Sequence, residues 1–124
     1  MQKLKRMWPE PPGLDEHGKY FWRTTGKVLL KHGVLTELDR EAFISLCEAY
    51  SMKRRAEALL AAEGLTAPDR EGSAKKHPAF TIWAKAADNY HKLLDRFGLN
   101  PKARQEKIRT QGVVKNEKAR FFQE

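Results

Sequence analysis

Cysteine is almost absent: Cys47 stands alone in 124 residues. No disulfide can form within the chain, and the usage fits a reducing compartment. The four histidines, His17, His32, His77 and His91, are scattered. None has a cysteine or a second histidine at the spacing that grips zinc. Long apolar runs are missing too, since nothing approaches the ~20 residues a membrane-spanning helix needs. The opening "MQKLKRMWPEPPG" is basic but lacks the apolar stretch of a signal peptide. Ser45, Ser51 and Ser73 have no nucleophile-elbow context. "GSAKK" has the lysine of a phosphate loop but not its first glycine, its following Ser or Thr, or a strand before it. No set of residues meets the geometry of an active site, so neither catalysis nor a metal or cofactor is expected. Cys47, beside Leu46 on an apolar helical face, is expected to be a small buried thiol.

What the chain does have is charge and helical periodicity. Lys plus Arg total 24 against 16 Asp plus Glu, a net charge of +8. That balance favours polyanionic partners. Pro9, Pro11, Pro12 and Gly13 keep the first residues out of a helix. Residues 1–13 are therefore expected to be a flexible arm, 14–109 a helical domain and 110–124 a flexible tail.

Within the helical domain the spacing predicts four helices. Asp15 can cap the first, with Leu14 as a staple residue before it, and Gly33 ends it, giving about 15–32. Thr36 caps the second, whose acidic start (Glu37, Asp39, Glu41) suits the positive end of a helix dipole. Its apolar residues recur at three- and four-residue steps, predicting 37–62. The third, 79–97, places Phe80, Trp83, Ala87, Tyr90, Leu94 and Phe97 on one seam. Asn100 and Pro101 read as cap and first position of a short fourth helix, 101–109. No strand signal is strong, although "GLTAPDREGSAKKH" has the turn residues of a small hairpin. The expected fold is all-α, dominated by a long antiparallel helical hairpin.

Three basic groups are candidate phosphate contacts: Lys53, Arg54 and Arg55 in "MKRR"; Lys75, Lys76 and His77 in the loop before the third helix; and Lys102, Arg104, Lys107 and Arg109 near the end. Such groups position a protein on nucleic acid without reading its sequence. "LLKHGVLTELDREAF" also has the outline of a helix-turn-helix, so a dimeric DNA-binding regulator is the alternative reading. Against it, the acidic first turn of the second helix would meet phosphates unfavourably. The seam of Trp83, Tyr90, Leu94 and Phe97 is more aromatic than so small a bundle is expected to hide, which predicts that copies share it as an oligomerisation surface.

In their order and spacing, "HGVLTELDREAFISLCEAYSMKRRAEALLAAEGL" and "KKHPAFTIWAKAADNYHKLLDRFGLNPKAR" resemble the small terminase subunits of tailed bacteriophages. The likeness spans about residues 8 to 105 and includes the aromatic first helix with Trp22, the "GVLTELD" turn, the Ala49-Tyr50 pair and the "FGLNPKAR" close. "TAPDREGSAKK" is a looser match. The resemblance implies a non-enzymatic, all-helical protein that assembles into a ring in the cytoplasm of the infected bacterial host. Such a ring binds double-stranded viral DNA and presents it to the large terminase subunit, which holds the ATPase and nuclease. It further implies that the chain end engages the packaging machinery. "RFFQE", with Phe121 and Phe122 on a polar tail, suits a docking peptide for the large subunit.

Overall fold

The computed structural model describes residues 2–102 and 104–105. Each helix begins where a side chain can satisfy the free N–H groups of a first turn. Asp15 accepts from the Gly18 N–H at 2.9 Å and starts α1, Glu16–Lys31. Gly33, at φ 65°, turns the chain out of it, a conformation in which a side chain would be strained. Thr36 and Asp39 cap each other reciprocally, with the Asp39 carboxylate accepting from the Thr36 N–H at 2.7 Å. They open a short 3-10 turn, Glu37–Asp39, that leads into α2, Arg40–Glu63. The second helix thus starts in a tighter turn than its spacing predicts.

Between α2 and the last long helix lies a small antiparallel hairpin, β1 (Thr66–Pro68) and β2 (Ala74–Lys76), with Ala67 opposite Lys75. The fold is therefore mostly helical rather than purely so. Its turn is held by Asp69, whose Oδ1 accepts from the Glu71 and Ser73 N–H groups at 2.9 and 2.8 Å. α3, Pro78–Arg96, follows with proline in its first turn and His77 as its cap. Beyond it, the Asn100 side chain accepts from the Lys102 N–H at 2.9 Å and the chain is helical at 101–102 and 104–105. The remainder of the expected fourth helix, and the tail, lie outside the described residues.

α2 and α3 meet at matched seven-residue steps. Phe43, Tyr50 and Glu57 on α2 contact Phe97, Tyr90 and Trp83 respectively, so the contacts descend one helix as they climb the other. α1 closes the third side, with Phe21 against Tyr50 at 4.7 Å and Trp22 against Phe43 at 5.1 Å between ring centroids. Phe43, Leu29, Leu35, Leu46 and Cys47 are the most deeply buried side chains. Burial pushes the Cys47 thiol up to about 12, which keeps it protonated and unreactive at neutral pH.

The segment expected to be a flexible arm has no helix, yet its described residues lie against the bundle. The Leu4 N–H donates to the Leu35 carbonyl at 2.8 Å, and Lys3 bridges to Thr36. Met7 packs over Gly26, where a Cβ would stand 2.9 Å from its methyl carbon. Trp8 lies 6.1 Å from Trp22, and Glu10 receives two hydrogen bonds from Arg23 at 2.9 and 3.0 Å. Among the described residues, no helix is long and apolar enough to cross a membrane.

Two carboxylates tie the helices together. Asp15 accepts from the Ser51 hydroxyl of α2 as well as capping α1, and these bonds hold its carboxyl below the usual range. Glu57 is lowered in the same sense, first by the hydrogen bond from Lys53. A depressed folded pKa contributes stability that is present above the unfolded value and lost as pH falls through the folded one. Unfolding free energy is thus expected to decline with acid below roughly pH 4. Glu57→Gln, which keeps an acceptor for Trp83 but has no charge to titrate, should flatten part of that decline in denaturant melts across acid pH; an unchanged slope would locate the acid sensitivity elsewhere.

Candidate nucleic-acid interface

The fold sorts the expected phosphate contacts by what already neutralises them. On α2, Lys53 and Arg54 both reach Glu57, at 2.8 and 3.1 Å. That carboxylate also accepts from the Trp83 indole N–H at 3.1 Å. Lys53 in addition lies 5.7 Å from the centre of the Tyr90 ring. Two of the three "MKRR" cations are therefore paired with one acidic partner on the next turn, Lys53 half-buried and Arg54 on the surface. Arg55 alone of the three projects elsewhere, into an outer groove beside Met52.

The loop cluster is similarly engaged. Lys75 pairs with Asp69 at 3.4 Å, bracing the hairpin across its turn. Lys76 sits 5.4 Å from the Phe80 ring centre. His77 is only 8% exposed. Its Nδ1 accepts from the Ala79 N–H at 3.0 Å, which leaves the proton on Nε2 to donate to Glu63 at 2.5 Å. His77 thus uses both ring nitrogens to cap α3 and join it to the end of α2. Lys102 and Arg104 are exposed just after the Asn100 cap. Lys107, Arg109, Phe121 and Phe122 lie outside the described residues.

The aromatic seam is engaged within the chain as well, with Phe97 buried and Trp83, Tyr90 and Leu94 partly so. Phe97 is 5% exposed, its ring edge-on to Phe43 at 5.9 Å. Tyr90 packs on Phe21 and Tyr50, with its hydroxyl pKa raised by burial. Leu94 adjoins the same cluster, and Trp83 is half-buried and tied to Glu57. The seam that was expected to need a neighbouring copy is largely satisfied inside one chain, because α2 offers Phe43 and Tyr50 at the complementary steps.

The apolar surface left over lies on the other side of the α2–α3 pair. Met52 and Ile82 are 45% and 50% exposed and line both halves of a long groove. Leu59, Ala58, Ala62 and Ala79 floor one half, and Ala49, Ala86 and Leu93 the other. The spacing of Ile82, Ala86 and Leu93 marks a second apolar flank on α3, and Ala49, Met52, Ala56 and Leu59 recur at three- and four-residue steps on α2, but the sequence does not say that the two flanks adjoin.

A second feature also escaped the sequence reading. Lys19, Arg23, Lys27 and Lys31 recur at four-residue steps along α1, the spacing that keeps side chains on one side of a helix. The signal was present as a periodicity of charge rather than as a run. The helix-turn-helix outline, in contrast, is used as a corner. Asp39 is spent on the cap, Glu41 pairs with Arg40 at 2.7 Å, and Phe43, Leu46 and Cys47 point into the core. Among the described residues no group of three or more His, Cys, Asp or Glu side chains is placed to hold a metal ion.

No curated protein and no solved structure matches the chain. A family model described as phage terminase, small subunit, matches residues 18–112. That span runs from the first turn of α1 through all three long helices and the hairpin. With most of its length covered, the chain belongs to the phage terminase small subunit family, whose work is the packaging of phage DNA.

Proposed function

We propose that this protein is the DNA-packaging adaptor of its phage: a homo-oligomeric ring that binds double-stranded viral DNA, then recruits and regulates the large terminase subunit in the cytoplasm of the infected host. In this reading the chain performs no catalysis of its own; the ATPase and nuclease steps belong to the large subunit. Family membership supports the packaging role and the two classes of partner. The net charge of +8 supports attraction to a polyanion. The phenylalanine pair Phe121-Phe122 in the terminal "RFFQE" supports a short docking peptide for the large subunit.

One observation carries the assembly. The outer face of the α2–α3 pair leaves Met52, Leu59 and Ile82 about half exposed in a continuous groove. A contiguous apolar groove is the kind of surface that a second copy covers. Subunit contact is thus assigned to this face, in place of the Trp83–Phe97 seam that the subunit fills itself.

The native mass of the protein, with and without duplex DNA, tests the proposal. A multiple of the single-chain mass is expected at micromolar concentration, with a further increase on adding DNA. Binding should weaken steeply with salt, by a slope of roughly 0.9 per phosphate neutralised. A single-chain mass under both conditions would overturn the ring, and a flat salt dependence would overturn phosphate-dominated binding.

A further inference from the structure

We infer that the phosphate backbone of the duplex is met by a composite face that the amino-terminal arm builds with the end of α1: Lys3, Lys5 and Arg6 from the arm, Lys27 and Lys31 from the helix. The inference rests on the DNA-binding reading above and names the surface that performs it.

The arm runs back along α1. Glu10 is fixed beside Arg23, Trp8 beside Trp22, Met7 over Gly26, and the Lys3 side chain reaches Gly33. Residue numbers fall along the arm as they rise along the helix. Arg6 and Lys27 each stand one position from the Met7–Gly26 contact, and Lys3 stands at the end of α1 where Lys31 occupies the last turn. Two segments some twenty residues apart in sequence therefore put their cations at one end of the molecule. The backbone bond from Leu4 to Leu35 and the Lys3–Thr36 bridge hold the arm in place there.

The charges on this face are available. Lys3, Lys5, Arg6, Lys27 and Lys31 are all exposed, and none has a carboxylate partner among the described residues. The nearby acids are committed or peripheral: Glu10 to Arg23, Asp39 to Thr36, with Glu37 bordering the face beside Thr36. In contrast, Lys53, Arg54 and Lys75 would each have to leave an existing ion pair to reach a phosphate. Five unpaired cations on one end repel one another, and a polyanion both relieves that repulsion and releases the counterions that otherwise screen it. Contacts of this type fix position without reading base sequence.

The test uses the full chain and a random-sequence duplex, read by fluorescence anisotropy across a salt series. Lys5→Ala, Arg6→Ala and Lys27→Ala together are expected to weaken binding roughly ten-fold or more, and to reduce the salt slope by about 2–3, while the circular-dichroism melt is unchanged. Lys31→Glu alone should weaken binding in the same direction, as an independent reading on a single exposed side chain. Lys5→Arg with Lys27→Arg should bind like the wild type, and Lys53→Ala with Arg54→Ala should stay within about two-fold of it. If the triple variant and Lys31→Glu bind normally while the Lys53/Arg54 variant does not, DNA binding stands and this surface is wrong. If the wild type fails to retain duplex even at low salt, the DNA-binding reading itself falls.

Discussion

Phe43→Ala is expected to cost about 3–5 kcal/mol of folding free energy, the range for removing a large aromatic from a packed interior. Phe43 is fully buried, and its ring meets Phe21, Trp22 and Phe97 at centroid separations of 6.2, 5.1 and 5.9 Å. Through it α1, α2 and the C-terminal cap of α3 all touch. Truncation would leave a void lined by three rings that are themselves fixed by neighbours, so the cavity could collapse only in part. For a domain whose whole stability is about 5–15 kcal/mol, that is a large share. The melting midpoint should fall by roughly 10–20 °C. Phe43→Leu, nearer in volume, should recover most of the loss. A drop below about 1 kcal/mol for the alanine variant would show that the ring cluster is not the keystone of the core.

Met52→Glu combined with Ile82→Glu is expected to convert the assembly into single chains. Both side chains stand where the two halves of the outer groove join. In the proposed ring they are covered by the next copy. Each substitution removes about 1–2 kcal/mol of apolar burial and places a carboxylate where desolvation opposes it. Together they amount to roughly 5 kcal/mol or more, a loss of several thousand-fold in association. The fold of the single chain should be little affected, because both residues are about half exposed within it. Light scattering gives the mass and circular dichroism the fold. An assembly of unchanged mass would locate the subunit contact on another face.

Much of this architecture could be read from the amino acids, and the failures have definite causes. The helix starts were legible because Asp15, Thr36 and Asn100 are side chains that bond nearby backbone N–H groups, and they do so. The stop at Gly33 was legible because glycine accommodates the positive φ that ends a helix, and Gly33 adopts one. The hairpin gave little signal: its strands are three residues each, and its stability comes from the Asp69 turn rather than from alternation. The third-helix seam was legible as a stripe, but a stripe does not announce its partner. That partner proved to be Phe43 and Tyr50 of the same chain.

The basic residues teach the opposite lesson. "MKRR" stands out as a run, yet Glu57 lies four residues after Lys53 and three after Arg54, the spacings at which helical side chains meet. The pairing was written in the sequence. Prolines correctly kept the arm from being helical, but they say nothing about packing. Met7 and Trp8, apolar residues in an otherwise polar stretch, were the cue that the arm would be laid down on something.

The placement of the three tryptophans gives the protein separate optical probes. Trp8 and Trp22 lie 6.1 Å apart with their planes inclined at 50°, close enough for their near-ultraviolet transitions to couple. Trp83 sits on the far side of the bundle, its indole N–H held by Glu57. Lifting the amino-terminal strap off the first helix would break the coupled pair and leave the third indole's signal alone, whereas parting the two longer helices would do the reverse. Unlabelled protein can therefore report, by its own absorption and emission, which of its two junctions opens.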